Sequence, residues 1–252
     1  MRVRVLFFGM LKDLLGRPGE DLDLPDGARL ETVFDHYASQ VPKLRAMAQS
    51  IVMARNHEFE PPDTPLADND EVALMPPVSG GSGNGADAAG ESPWIASARE
   101  GNGSFYAITN QRIDVQQLAA DVIAAHDGAV ITFEGVVRDH SGGRKTRYLE
   151  YECYVPAALK KMREIGAEVV AEHGVHRVAI VHRLGRLEIS ETSVAIVVTS
   201  AHRKAAYEGS FETINRLKRL VPIWKKEYFE DGEVWVEGEW DESVPRPAAA
   251  PR

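Results

Sequence analysis

The stretch EVALMPPVSGG, residues Glu71–Gly81, ends the first part of the chain. It reads as an apolar strand, two prolines that stop it, and a Gly-Gly pair without side chains. Upstream, Val3, Val5 and Phe7 alternate in an opening strand, and Leu22 and Leu24 alternate in a second. LETVFDHYASQ sets Leu30, Val33, Phe34 and Tyr37 at helical spacing. IVMA, from Ile51 to Ala54, is a short apolar run, and a Pro/Asp-rich turn region joins it to the final strand. The order is strand, strand, helix, strand, strand.

That order is the order of a β-grasp, ubiquitin-like unit, assigned to residues 1–81. Downstream, residues 82–103 (SGNGADAAGESPWIASAREGNG) are rich in Gly, Ala and Ser and follow neither a period of 2 nor one of 3.6, apart from Trp94-Ile95. Such a stretch buries too little to offset its ordering entropy, so a flexible linker is expected there. Residues 104–240 alternate more regularly. VQQLAADVIAAH places Val115, Leu118, Ala119, Val122 and Ile123 on one helical face, and PAALKKMREIGAEVVAEHG is a second helix, opened by Pro156 and closed by Gly174. AVITFEGVVR, HRVAIVHRLG and SVAIVVTSAH read as apolar strands and YLEYECYV as a half-exposed one. KAAYEGSFETINRLKRL is a third helix, and PIWKKEYF and EVWVEGEW form a terminal strand pair. The second domain is therefore an α/β sandwich, the whole chain is α+β, and residues 241–252 are expected to form a disordered tail.

The 252 residues are 44% hydrophobic and 27% charged, which supplies material for proper cores and excludes a disordered or disulfide-scaffold protein. A formal charge of −9 argues against a general nucleic-acid binder. No apolar run reaches the roughly 20 residues of a membrane span, and no signal peptide is read at the start, so a cytoplasmic protein is expected. The single cysteine, Cys153, sits at an inward position of its strand and reads as inert. The histidines show no metal-ligand spacing, and no metal is expected.

Three features carry chemistry. Gly80-Gly81 suits either a tail that threads a narrow channel in extended form or the start of the linker. On the third helix Phe211, Ile214 and Lys218 recur at three and four residues, placing Lys218 at the edge of an apolar face. Pro222 then ends the helix, and the next strand brings Lys225 back toward that end. Two ammonium groups in a partly desolvated pocket favour a neutral amine for proton transfer or attack; on a solvated surface they are two snorkelling lysines. Arg138 follows one strand, and His202 and Arg203 follow another and enter a helix, where free N–H groups and a guanidinium suit a phosphate. A strand cap and a packed histidine are the structural alternatives.

Taken together, LMPPVSGG, VITFEGVVRDH, TSAHR, LKRLVPIWKKE and WVEGEW resemble the molybdopterin synthase family, with its small sulfur-carrier and large catalytic subunits fused in one chain. The resemblance implies conversion of cyclic pyranopterin monophosphate into molybdopterin, with sulfur delivered as a thiocarboxylate on a terminal glycine that matches Gly81, and with Gly80 helping the tail to thread. It implies that Lys218 and Lys225 are catalytic, that Arg138, His202 and Arg203 bind substrate, and that Val136, Val137, Lys226 and Glu227 lie in the same binding stretches. It also implies a homodimer through the C-terminal domain, an E1-like adenylating enzyme, a sulfur donor, and no cofactor, nucleic acid or membrane partner. One departure matters: Gly81 is followed by Ser82, and only a free carboxylate can be adenylated, so a protease cutting after Gly81 is required. Two rival readings stand beside this one: a carrier domain that no longer donates sulfur, with a separate carrier used in trans, and a non-catalytic β-grasp scaffold. Lys218→Ala and Lys225→Ala are each expected to abolish dithiolene formation with folding intact.

Overall fold

The computed structural model describes residues 1–77, 93–236 and 240–245. They fall into two compact units. One takes the N-terminal residues to Ser79 together with the chain from Glu237 onward, and the other takes Gly80–Val236.

The first unit runs β1 (Arg2–Phe7), α1 (Met10–Leu15), β2 (Gly19–Asp23), α2 (Leu30–Gln40), α3 (Pro42–Ala46), β3 (Val52–Arg55), β4 (Glu58–Phe59) and β5 (Glu71–Met75). Its sheet has the order β2-β1-β5-β3-β4, with β1 and β5 parallel and the other pairs antiparallel. Central β5 is buried from Val72 to Met75, while β1 turns Val3, Val5 and Phe7 inward against Leu30, Val33, Phe34 and Tyr37 of α2. The alternation read from the sequence is thus the core face of a β-grasp. The short helices α1 and α3 were not legible, since six and five residues are too few to display a helical period.

The second unit contains β6 (Ala96–Arg99), β7 (Phe105–Thr109), α4 (Val115–Val122), β8 (Ala129–Val136), β9 (His140–Ser141), β10 (Arg144–Cys153), α5 (Val155–His173), β11 (Arg177–Arg183), β12 (Gly185–Glu188), β13 (Thr192–Ser200), α6 (Arg203–Leu220), β14 (Ile223–Phe229) and β15 (Gly232–Trp235). One sheet has the order β6-β7-β11-β13-β8, and the other β12-β10-β14-β15 with β9 paired to β10. In the first sheet Ile180, Ile196 and Val198 pack with Met162 and Ile165 of α5 and Ile214 and Leu217 of α6, while Ala179, Val181 and Val197 pack with Leu118 and Val122 of α4. Both faces are covered, so β11 and β13 read as continuous apolar runs.

Several expectations are corrected. Residues 96–99, assigned to the flexible linker, are an edge strand antiparallel to β7; small residues define it by backbone pairing, which leaves no hydrophobic period to read. Trp94 sets its ring edge-on to Phe105, which anchors the entry to this strand. Two other assignments shift: Trp240, expected in the second domain, is 3% exposed with its ring edge-on to Phe59, Val244, expected in the disordered tail, is buried, and both belong to the first unit. Ile123 lies outside α4 and is exposed, because the chain turns at once, with the Ala124 N–H donating to the Asp127 carboxylate at 2.8 Å. Phe211 is 68% exposed; the inward face of α6 is Ala206, Gly209, Ser210, Thr213, Ile214 and Leu217. No helix among the described residues is long and apolar enough to cross a membrane.

Candidate active site

Strand β14 sorts its charged residues by pleat. Lys225 and Glu227, two apart, share one face, and their side chains pair at 3.0 Å with the carboxylate buried. Lys226 takes the opposite face, bonded to Glu233 at 2.6 Å beside Tyr228 and Trp235. Lys226 and Glu227 are neighbours along the chain, and a period of 2 sends their side chains to opposite faces of the strand.

On the Lys225 face the register places Tyr151 opposite Lys225 and Leu149 opposite Glu227. Tyr151 lies edge-on to His182 of the other sheet, with ring centres 5.1 Å apart. Burial raises the Tyr151 hydroxyl, the Glu227 charge adds to this, and a hydrogen bond with Ser193 opposes it. Burial likewise pushes His182 down to about 4, so this ring is neutral at ordinary pH. Ser193 in turn donates to the Gly135 carbonyl at 2.9 Å, which joins this polar floor to the end of β8. There Val137 is buried against Leu149 and Leu187 and exchanges backbone bonds with Glu191 and Ser190, whereas Val136 and Arg138 on either side are exposed. Val137 is therefore an anchor that presents its neighbours.

The cations do not all converge within one chain. Val136 pairs with Thr192 at the start of β13, while His202 and Arg203 follow its other end at Ser200, about 26 Å away at strand rise. Helix α6 starts at Arg203 and packs back along β13 and β8, and its 18 residues cover about the same distance, which carries exposed Lys218 to the Arg138 end. Thus Lys218, Val136 and Arg138 belong to one end of the first sheet, where Tyr151, facing His182 and Ser193, brings Lys225 and Glu227 of the second sheet, while His202 and Arg203 belong to the other end. Gly80 and Gly81 lie outside the described residues.

Tyr151, Ser193 and His182 were not read from sequence as site residues, because each sits in the interior of a strand and only the pairing of two sheets brings them together. The parity of Tyr151 with Lys225 was the available signal, and it needed a register that no motif supplies. Cys153 packs against the core, and burial pushes its thiol up, in keeping with an inert role.

A β-grasp module is thus joined, in one chain, to an α/β domain that gathers lysines, an arginine and a buried carboxylate where the ends of two sheets meet. The ThiS family model matches residues 5–81, and the MoaE protein model matches residues 108–220. The chain belongs to the molybdopterin synthase family. It is 46% identical over 147 residues to the molybdopterin synthase catalytic subunit of Halalkalibacterium halodurans, covering 58% of this chain and 94% of that one. The corresponding Bacillus subtilis subunit is 44% identical over 131 residues, covering 52% and 83%. Molybdopterin synthase from Staphylococcus aureus superposes with a TM-score of 0.50 at 45% identity, covering 52% of this chain and 96% of that structure.

Proposed function

We propose that the chain is a molybdopterin synthase carrying its own sulfur donor, acting in the cytoplasm on cyclic pyranopterin monophosphate. The observation that carries this reading is the joint presence of the carrier module and the Lys218, Lys225, Arg138 sheet end in one polypeptide. Cleavage after Gly81 frees a carboxylate that an E1-like enzyme adenylates and a sulfur donor converts to thiocarboxylate. Each sulfur transferred returns that glycine to a carboxylate, so a dithiolene requires two loaded carriers. Lys218 and Lys225 handle protons or hold a covalent intermediate, Arg138 takes the phosphate, and the reaction uses no cofactor.

The split between Arg138 and His202-Arg203 supports a homodimer, in which a second copy brings its His202 and Arg203 to the first copy's lysines. Exposed Tyr207 and Phe211, on the helix that starts at Arg203, offer apolar surface for that second copy. The peptide bond from Gly81 to Ser82 favours one other reading, a catalytic domain served by a separate carrier in trans. Intact-mass spectrometry of protein from its own host tests the choice. A fragment ending at Gly81, heavier by sulfur in place of oxygen, is expected; a wholly uncut yet active chain overturns the processed-carrier reading and leaves the trans carrier.

A further inference from the structure

We propose that His126 and His176, backed by Asp127, form a site for one divalent transition-metal ion of the zinc–nickel class. The three side chains each offer a donor atom, and these atoms all lie within 4.8 Å of one another. They are brought together by the fold: the turn after α4 supplies His126 and Asp127, and the residue before β11 supplies His176, which is why sequence spacing gave no hint of them.

The carboxylate is set in the manner that metal-binding imidazoles use. The Asp127 side chain is wholly buried, with Oδ1 2.5 Å from His176 Nδ1 and its other oxygen accepting the Ala124 N–H. A proton kept on Nδ1 by a carboxylate leaves Nε2 as the lone pair that binds a metal. His126 is exposed, with its ring centre 4.7 Å from that of His176 and its plane tilted by 57°. Two imidazoles on one ion, with metal–nitrogen bonds of about 2.1 Å and angles between about 90° and 109°, place their ring centres roughly 4.5–5.2 Å apart. The observed spacing falls inside that window before any ion is added.

Both segments are pinned. The Gly128 N–H bonds the Ser200 carbonyl at 3.0 Å, and the His176 N–H bonds the Thr199 carbonyl at 2.8 Å, so both histidines are anchored to the end of β13. Arg177 lies 3.6 Å from Asp127 and balances its charge. A site led by two imidazoles selects zinc, nickel or copper(II) over magnesium or calcium, which demand oxygen donors. An ion there ties the α4–β8 turn to the entry of β11, with water filling its remaining positions. The inference is independent of the sulfur-transfer reading and assigns no catalytic part to the ion.

The test is equilibrium dialysis of the untagged, metal-free full chain against zinc and nickel salts. The parent chain is expected to bind one ion per chain saturably, and His126→Ala, at an exposed position, to lose that binding while its circular dichroism stays unchanged. Asp127→Asn should weaken binding by about 10–100-fold. His140→Ala, another exposed histidine, should bind as the parent does. Equal binding by the parent and His126→Ala, or equal loss in His140→Ala, overturns the proposal, and so does the absence of saturable binding in the parent.

Discussion

Lys225→Ala is not a fold-neutral change, although the sequence led us to expect one. Its ammonium lies 3.0 Å from a Glu227 carboxylate whose side chain is 5% exposed. At an effective dielectric near 20 the gross attraction over that distance is about 5 kcal/mol. Removing one partner of a fully buried pair costs about 3–5 kcal/mol, because the remaining charge is stranded. Lys225 itself keeps about a quarter of its side-chain surface in water, which lowers the expected loss to about 2–3 kcal/mol. For a unit of this size that corresponds to a fall in Tm of roughly 5–10 °C. The double variant Lys225→Ala, Glu227→Gln removes the stranded charge and should recover most of this loss, yet remain inactive in dithiolene formation. Lys218→Ala, on an exposed turn, should lose activity at parental Tm. The measurement is thermal denaturation by circular dichroism beside a sulfur-transfer assay. A Lys225→Ala chain that melts with the parent, or a double variant no more stable than the single one, refutes the reasoning.

Three further predictions follow from other parts of the molecule. His182 stays neutral in the fold down to about pH 4 but protonates near 6.5 when unfolded. Between those values the unfolded chain holds the extra proton, so stability falls as pH falls, by about 3 kcal/mol in all, with no such slope above 6.5. Urea midpoints against pH should show this, and His182→Gln should flatten it. A Cβ on Gly166 would lie 1.9 Å from the Tyr106 hydroxyl oxygen, so Gly166→Ala should cost about 1–3 kcal/mol or more in a urea titration, while an unchanged midpoint would mean the helix shifts freely. Trp240→Ala should cost the first unit about 3 kcal/mol, read as faster amide exchange in β1 and β5; Trp240→Phe should cost less, because it keeps a ring against Phe59 and the buried indole N–H has no hydrogen-bond partner among the described residues.

What was legible follows from what each element uses to declare itself. β1, α2, α5, β11 and β13 each bury a face or both faces over enough residues to show a period, and each lies where the pattern puts it. β6 declares itself by hydrogen bonds to β7, and Trp240 by a contact with a residue far away in sequence; neither mode leaves a local pattern. The site divides in the same way. The lysines, Arg138, His202 and Arg203 stand at element ends, where charged residues interrupt apolar runs and so attract notice. Ser193 and His182 sit inside such runs, and Tyr151 inside a half-exposed strand. Their meeting depends on which strands face each other, and the pairing of His126 with His176 depends on it equally.

The fused arrangement makes sense of the chain's path. The chain passes between its units twice, once between Pro77 and Pro93 and again between Val236 and Trp240. A cut after Gly81 severs only the first passage. If the chain is processed as proposed, the segment around Trp240, seated against Phe59 within the first unit, would leave the two fragments a non-covalent contact. On the proposed reading the glycine end must also reach an enzyme that loads it with sulfur. A peptide bond at Gly81 forbids loading altogether, and a free subunit must find its synthase anew each time. On that reading a cut chain with a non-covalent C-terminal grip would meet both demands, since the glycine end is freed while the partner stays close.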